Sequence, residues 1–493
     1  MHYRSKPGRK DLDPRARDST PRARKLAPRV KDLDPRVKDP RSVVKPRTAG
    51  DPGRPGMVEY GFWAFVFIAV GRINQLIPPL AAVPLAKIVM VLTVVALIRD
   101  RRELPRINPG ARSLAMSAIG LAMLGVMLTP FSFWPGASRN FVLLQLPVIA
   151  AGCVFAYFMC SSWKRLRGTF LVLVLCALVL ARGAVSGYSG GRADDAGTMY
   201  DPNDLAYLLV TITPLAVAFL LAAKSVVPRV VFGVIIATLI GATLLTQSRG
   251  GLLALLTIVA LMTFVPMKAA GARGGKHPGR TLSAKLGILV VVIAVGSVTW
   301  THLPPSAQQR FATLLNLGND YNLDPTDTNG RGEIWRRGLE AASERPLGYG
   351  PQSYMMVDVS LGGKFNVAHN SYLQVLVELG VAGLILFLRM YFLSFRGLQR
   401  ARSALISHGD LTPEKAEQAL FARALQFSLA GNMVAVFFLT EIYMQLLWVI
   451  FGVCMALMSL ALPGAAKPVP EKRGSEYPPP ENRAAHGRRR GIR

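Results

Sequence analysis

Cysteine, histidine and acidic residues are scarce in this chain of 493 residues: 4 Cys, 6 His and 29 Asp or Glu stand against 58 Lys or Arg. The cysteines, Cys153, Cys160, Cys176 and Cys454, fall in apolar runs with no close spacing and no histidine partners, which excludes a Cys/His metal cage and leaves packing as their role. No cleavable signal peptide is visible, because the first apolar run begins near Tyr60 and is too long and too poorly flanked to be one. The cations of the two ends lack interleaved aromatic residues to stack on bases, so nucleic acid is not an expected partner.

What the chain does hold is apolar sequence. Half of it is apolar and its mean hydropathy is positive despite a formal charge of +29, a combination expected of a membrane protein. The charge concentrates at the ends: residues 1–57 carry 17 Lys or Arg against 7 Asp, and residues 464–493 carry 8 against 3 Glu. Both ends are rich in Pro, Arg and Gly and read as disordered basic tails lying against anionic membrane lipids. DLDPR, at Asp11–Arg15 and again at Asp32–Arg36, is low complexity rather than a solenoid repeat. MVEYGFWAFVF, from Met57, reads like a start placed just before the first helix.

A spanning helix needs about 20 mostly apolar residues. About twelve runs qualify, near 60–78, 80–98, 113–131, 139–160, 168–184, 205–223, 228–246, 250–266, 284–301, 372–394, 422–441 and 443–463. The expected architecture is an all-α, polytopic integral membrane protein, with helices 1–9 in 58–301, a large loop at 302–371 and helices 10–12 in 372–463. With the N-terminal tail inside, the inner loops hold twenty Lys or Arg and the short outer loops only Arg139, Arg182, Arg192 and Arg249, so both termini are expected to be cytoplasmic. The loop of some seventy residues is then outer, and RGEIWRRGLEAASERP, Arg331–Pro346, predicts a short amphipathic helix within it, followed by a turn at LGYGPQSY.

On this topology only His302 and His369 lie at the outer face. His302, in THLPPS, reads as a helix-end residue. His369 precedes Asn370 and Ser371, which can cap a helix beginning near Tyr372; it is a candidate for chemistry, against the plainer reading of local hydrogen bonding. Glu378 would lie roughly 9 to 10 Å deeper along that helix, where an ionisable group needs a partner. Arg72 and Lys87, on either side of Pro78-Pro79, can supply one, either as a buried ion network or as a polar pocket that Asn74 and Gln75 would help to wet. TQSRGG, Thr246–Gly251, places Arg249 in a short outer turn whose glycines allow another group to approach the backbone. With Arg331 and His369 it suggests an outward site for a diphosphate, which guanidinium groups match bidentately.

These residues resemble the O-antigen ligase and polymerase superfamily of Wzy-type and ligase-type glycosyltransferases. The resemblance rests on TQSRGG, GRGEIW (Gly330–Trp335), RPLGYGP (Arg345–Pro351), AHNSYLQVLVELGVAGLILF (Ala368–Phe387) and MYDPNDLAYLL (Met199–Leu209). It implies a GT-C-like bundle at a bacterial inner membrane that moves a glycan from an undecaprenyl diphosphate carrier to lipid A core or another glycan acceptor, without metal or other cofactor. Carried over, Arg249 and Arg331 bind the diphosphate and His369 is the base. Polymerase and protein O-oligosaccharyltransferase activities remain open within the resemblance. A lipid-carrier flippase is the rival from another class, against which stand the lack of an evident inverted repeat and polar residues gathered on one face.

Overall fold

Short polar residues start many of the helices. The computed structural model describes residues 56–72, 78–99, 109–159, 162–188, 191–192, 201–267, 279–314, 330–407 and 411–462. In it Ser162, Asp201, Ser248 and Thr412 each accept a hydrogen bond from a backbone N–H of the following first turn. Those amides have no intrahelical acceptor, so the caps satisfy them.

The helices are α1 (Met57–Ala69), α2 (Pro78–Ala81), α3 (Leu85–Arg99), α4 (Pro109–Leu128), α5 (Pro135–Asn140), α6 (Leu146–Met159), α7 (Trp163–Ser186), α8 (Pro202–Ala222) and α9 (Val226–Leu245). They continue with α10 (Arg249–Phe264), α11 (Gly279–His302), α12 (Pro305–Ala312), α13 (Arg331–Glu344), α14 (Tyr354–Ser360), α15 (Ser371–Ser407), α16 (Pro413–Ala435) and α17 (Gln445–Ala461). No strand occurs among the described residues.

α8 forms the axis: every residue from Leu205 to Phe219 is buried, against α7, α9, α10 and α16. α15 packs on α4, α16 and α17, and α17 on α6, so one apolar core runs through the bundle. The outer faces are apolar too. Leu92 and Val95 on α3, Met116 and Met123 on α4, Val227 and Val234 on α9, and Ile385 and Phe392 on α15 all point outward, a surface suited to hydrocarbon rather than water. Six helical segments, Gly110–Phe131, Pro135–Phe158, Trp163–Ser186, Pro202–Ala222, Val226–Leu245 and Ser371–Ser407, are long and apolar enough to cross a membrane, and Met57–Ala69, Arg249–Phe264 and Gln445–Ala461 are shorter apolar helices. The protein is thus an all-α polytopic membrane protein; of the twelve expected spans, six meet the full length among the described residues.

Two expected spans end early. α1 stops at Ala69, with Arg72 in a left-handed conformation (φ 47°), and Asn74 and Gln75 lie outside the described residues. The run expected at 422–441 leaves the helix after Ala435. The backbone beyond it is satisfied from outside: Ser371 N donates to Val436 O, Ser371 Oγ to Leu439 O, and Trp448 Nε1 to Ile442 O. Cys153, Cys176 and Cys454 are free and buried, in keeping with packing, while Cys160 lies outside the described residues.

The long loop carries its expected amphipathic helix as α13, whose Ile334, Ala341 and Ala342 share a small core with Tyr354, Val357, Ala368, Leu373 and Val377. RPLGYGP does more than turn. Tyr349 N and Gly350 N donate to Val377 O and Glu378 O, and Val381 N donates to Pro346 O, so the segment docks into a break in α15 at Gly380 (φ 69°). A Cβ on Gly380 would sit 2.5 Å from Pro346 O and one on Gly348 (φ 96°) would sit 2.6 Å from Glu378 O, so both conformation and space demand glycine.

Candidate active site

His369 sits on the turn that enters α15. Its backbone is left-handed (φ 47°), and its N–H donates to Thr440 Oγ1 at 2.9 Å. Asn370 supplies the expected cap, its Oδ1 accepting from Tyr372 N at 2.9 Å and Leu373 N at 3.0 Å. Ser371 Oγ accepts from Glu441 N at 2.8 Å, and Trp335 Nε1 of α13 donates to Ala368 O at 3.0 Å. The turn is therefore fixed by α13, α15 and the segment after α16. All the left-handed non-glycine residues among those described, Arg72, Gln247, Gln352, Phe365 and His369, are at or beside candidate site segments, where such strain tends to gather.

Arg331 is the first residue of α13 and its charge acts on His369. Burial is the larger influence; with the Arg331 charge it lowers the imidazole pKa from 6.5 to about 4, against an opposing pull from Asp201. The ring is neutral at pH 7. Arg249 opens α10, half-buried, and donates to Thr313 Oγ1 at 2.8 Å. The close approach expected at its glycines is made by the protein itself: a Cβ on Gly250 would lie 2.8 Å from Phe438 Cβ, and one on Gly251 would lie 2.6 Å from Ala206 Cβ. Arg249 is thereby held against the same post-α16 segment that holds His369. His302 is the exposed last residue of α11, its Nδ1 2.7 Å from Val298 O, as expected of a helix end.

Arg72, Lys87 and Glu378 line one cavity of about 620 Å³, together with Gln145, Gln352, Gln374, Thr440 and Tyr443. The polar pocket expected from their depths is present, and Ala368 and Thr440 in its wall adjoin His369. The expected pairing of Glu378 with these cations is not what the structure shows. Its carboxylate accepts from Gln352 N (2.9 Å), Tyr354 N (3.3 Å), Gln374 Nε2 (3.3 Å) and the Tyr443 hydroxyl. Those donors replace a counter-ion, and they make Glu378 the clasp between α15, the segment before α14 and the segment before α17. Arg72 instead donates to Met444 Sδ at 3.6 Å, and its charge acts on Asp204 and Glu441.

That last pair carried no role in the sequence reading. The Asp204 and Glu441 carboxyls lie close enough to act on each other, and Asp201 caps α8 beside them. Arg192 ties this region to the TQSRGG turn, donating to Thr246 O at 3.1 Å and Asn203 Oδ1 at 2.8 Å. A signal existed in the sequence: Asp201, Asn203 and Asp204 directly precede an apolar run, and Glu441 interrupts another.

Fold and site together define a polytopic helical membrane protein with a cation-bearing polar cavity at one end and a neutral histidine beside it. Residues 234–388 match the model of a family described as O-antigen ligase. The match supports the resemblance to the O-antigen ligase superfamily carried by the sequence motifs. Arg249, Arg331, His369 and Glu378 fall inside the match, and Arg72, Lys87, Asp204 and Glu441 outside it. A search of curated proteins gives no match.

Proposed function

We propose that the protein transfers a glycan from undecaprenyl diphosphate to an acceptor hydroxyl, of lipid A core or of an exopolysaccharide, at the outer face of a bacterial inner membrane, with both termini cytoplasmic. The acceptor oxygen bonds to the anomeric carbon while the bond from that carbon to the diphosphate oxygen breaks. The hydroxyl proton passes to His369, and the diphosphate leaves with the bonding electrons. Arg249 and Arg331 stabilise the charge developing on the leaving group. Arg72 and Lys87, on the 620 Å³ cavity, extend the cationic surface toward the carrier or the glycan. Glu378 and Asn370 hold the segments that carry these groups.

The observation that carries this reading is a histidine turn held rigidly by α13, α15 and the segment after α16, where burial and the Arg331 charge favour the unprotonated imidazole. An unprotonated ring is the form that accepts a proton. A bound diphosphate adds negative charge next to Arg331, offsets its influence on His369 and raises the ring's basicity, so donor binding readies the base. No metal enters this mechanism. The test is deletion of the gene followed by glycan analysis: free lipid A core with accumulated carrier-linked polymer supports a ligase. Accumulated single repeats identify a polymerase, loss of glycan from proteins an O-oligosaccharyltransferase, and carrier-linked glycan trapped on the cytoplasmic side a flippase.

A further inference from the structure

A second cavity, of about 800 Å³, lies between the start of α7, the α8–α9 turn and the start of α16. It is far from His369. Asp201, whose charge reaches that histidine, caps one end of α8, and Phe219 lines the cavity near the other, about 27 Å away along the helix axis. Lys164, Arg167, Lys224 and Arg229 line it against only Glu414 and Glu417. Both acids are engaged: Glu417 accepts from Arg167 Nε at 2.8 Å and Trp163 Nε1 at 3.2 Å, and Glu414 from Gln418 Nε2 at 3.2 Å. Positive charge exceeds negative in this lining, and Lys224 and Arg229 are exposed on it, Arg229 also donating from Nε to Ala223 O at 3.2 Å.

The wall beneath the cations is aromatic. Phe219 and Phe232 stack at 5.0 Å, and the Arg167 guanidinium lies 5.1 Å from the Phe219 ring centroid. Leu221, Leu411 and Leu420 add to this apolar lining. A cationic rim over an apolar lining matches a ligand with an anionic head and a hydrocarbon body. The protein's own terminal segments are poor occupants, since both are strongly basic.

We propose that this cavity binds the headgroup of an anionic glycerophospholipid, with its phosphate on Lys224 and Arg229 and its hydrocarbon against the apolar lining. Basic pockets between helices at a membrane surface are suited to such headgroups. The site is separate from the glycan-transfer reading and does not depend on it.

Native mass spectrometry of the full-length protein, titrated with phosphatidylglycerol or phosphatidylcholine in detergent, tests the proposal. Wild type should retain phosphatidylglycerol preferentially, and Lys224→Ala/Arg229→Ala should weaken that binding about thirty-fold. Both side chains are exposed, so the variant keeps its core; the milder Lys224→Gln alone should weaken binding about five-fold. Arg400→Ala, exposed near the same end of α15 but outside the cavity, should change it less than about two-fold. Equal retention of the two lipids by wild type, an equal loss in Arg400→Ala, or full displacement of the lipid by equimolar glycerol 3-phosphate would overturn the proposal, the last by pointing to a soluble anion.

Discussion

Replacing Glu378 by Gln should destabilise the protein, because the Glu378 carboxyl oxygens accept from four donors. Oε2 accepts from Gln352 N and the Tyr443 hydroxyl, and Oε1 from Tyr354 N and Gln374 Nε2. A glutamine offers one accepting oxygen and one donating nitrogen. The Tyr443 hydroxyl can turn and accept from that nitrogen, but the Gln352 N–H cannot, so one part-buried donor loses its acceptor. Stranding such a group costs about 1–3 kcal/mol, and Glu378→Ala, which strands all four, should cost more than about 3 kcal/mol. Unfolding of the detergent-solubilised protein against rising SDS fraction, followed by tryptophan fluorescence, would measure both. Lys87→Gln, on an exposed side chain of the same cavity, should stay within about 0.5 kcal/mol of wild type. A Glu378→Gln protein as stable as wild type, or a Lys87→Gln cost equal to it, would refute the clasp and restore the ion-pair reading.

In a purified transfer assay Arg249→Lys should keep partial activity and Arg249→Ala very little, at normal protein levels, since lysine retains the charge without the bidentate fork; full activity in the alanine variant would remove Arg249 from the site. For His369 the folded pKa of about 4 lies below the usual 6.5, so the unfolded chain takes up the extra proton between those values and this residue's contribution to stability falls as pH drops through that window. Activity needs the neutral ring, so the acid limb of kcat/KM in the free enzyme should lie near pH 4. Arg331→Gln should move that limb upward but short of 6.5, because burial, the larger cause, remains; an unmoved limb would disconnect Arg331 from His369.

Much of this was legible locally. Asn370 capping α15, α13 as an amphipathic helix and His302 at a helix end follow from neighbours in sequence, and each is found where expected. The common depth of Arg72, Lys87 and Glu378 followed from the rise per residue, and they do share a cavity. Who partners whom did not follow. Glu378 meets backbone amides of a segment more than twenty residues earlier in the chain, and Asp204 meets Glu441 across more than two hundred positions; neither approach has a periodic signature. The end of α16 at Ala435 was hidden because Val436–Leu439 is as apolar as the helix before it, and only hydrogen bonds from Ser371 show why the chain leaves the helix there. Gly348 and Gly380 read as turn residues singly, whereas their shared reason is the docking of one backbone on another.

The central claim is that His369 accepts the acceptor's proton, and turnover of His369→Asn in a purified assay with undecaprenyl diphosphate-linked glycan and acceptor tests it most directly. Asparagine tolerates the left-handed backbone found at this position and can hydrogen-bond, but it cannot take a proton at neutral pH. The account predicts transfer reduced about 10²–10⁴-fold, nearly as far as in His369→Ala, with membrane insertion and carrier-lipid binding intact. Near-normal turnover of His369→Asn would contradict it, leave His369 an orienting residue, and move the search for the base to His302 and Glu378.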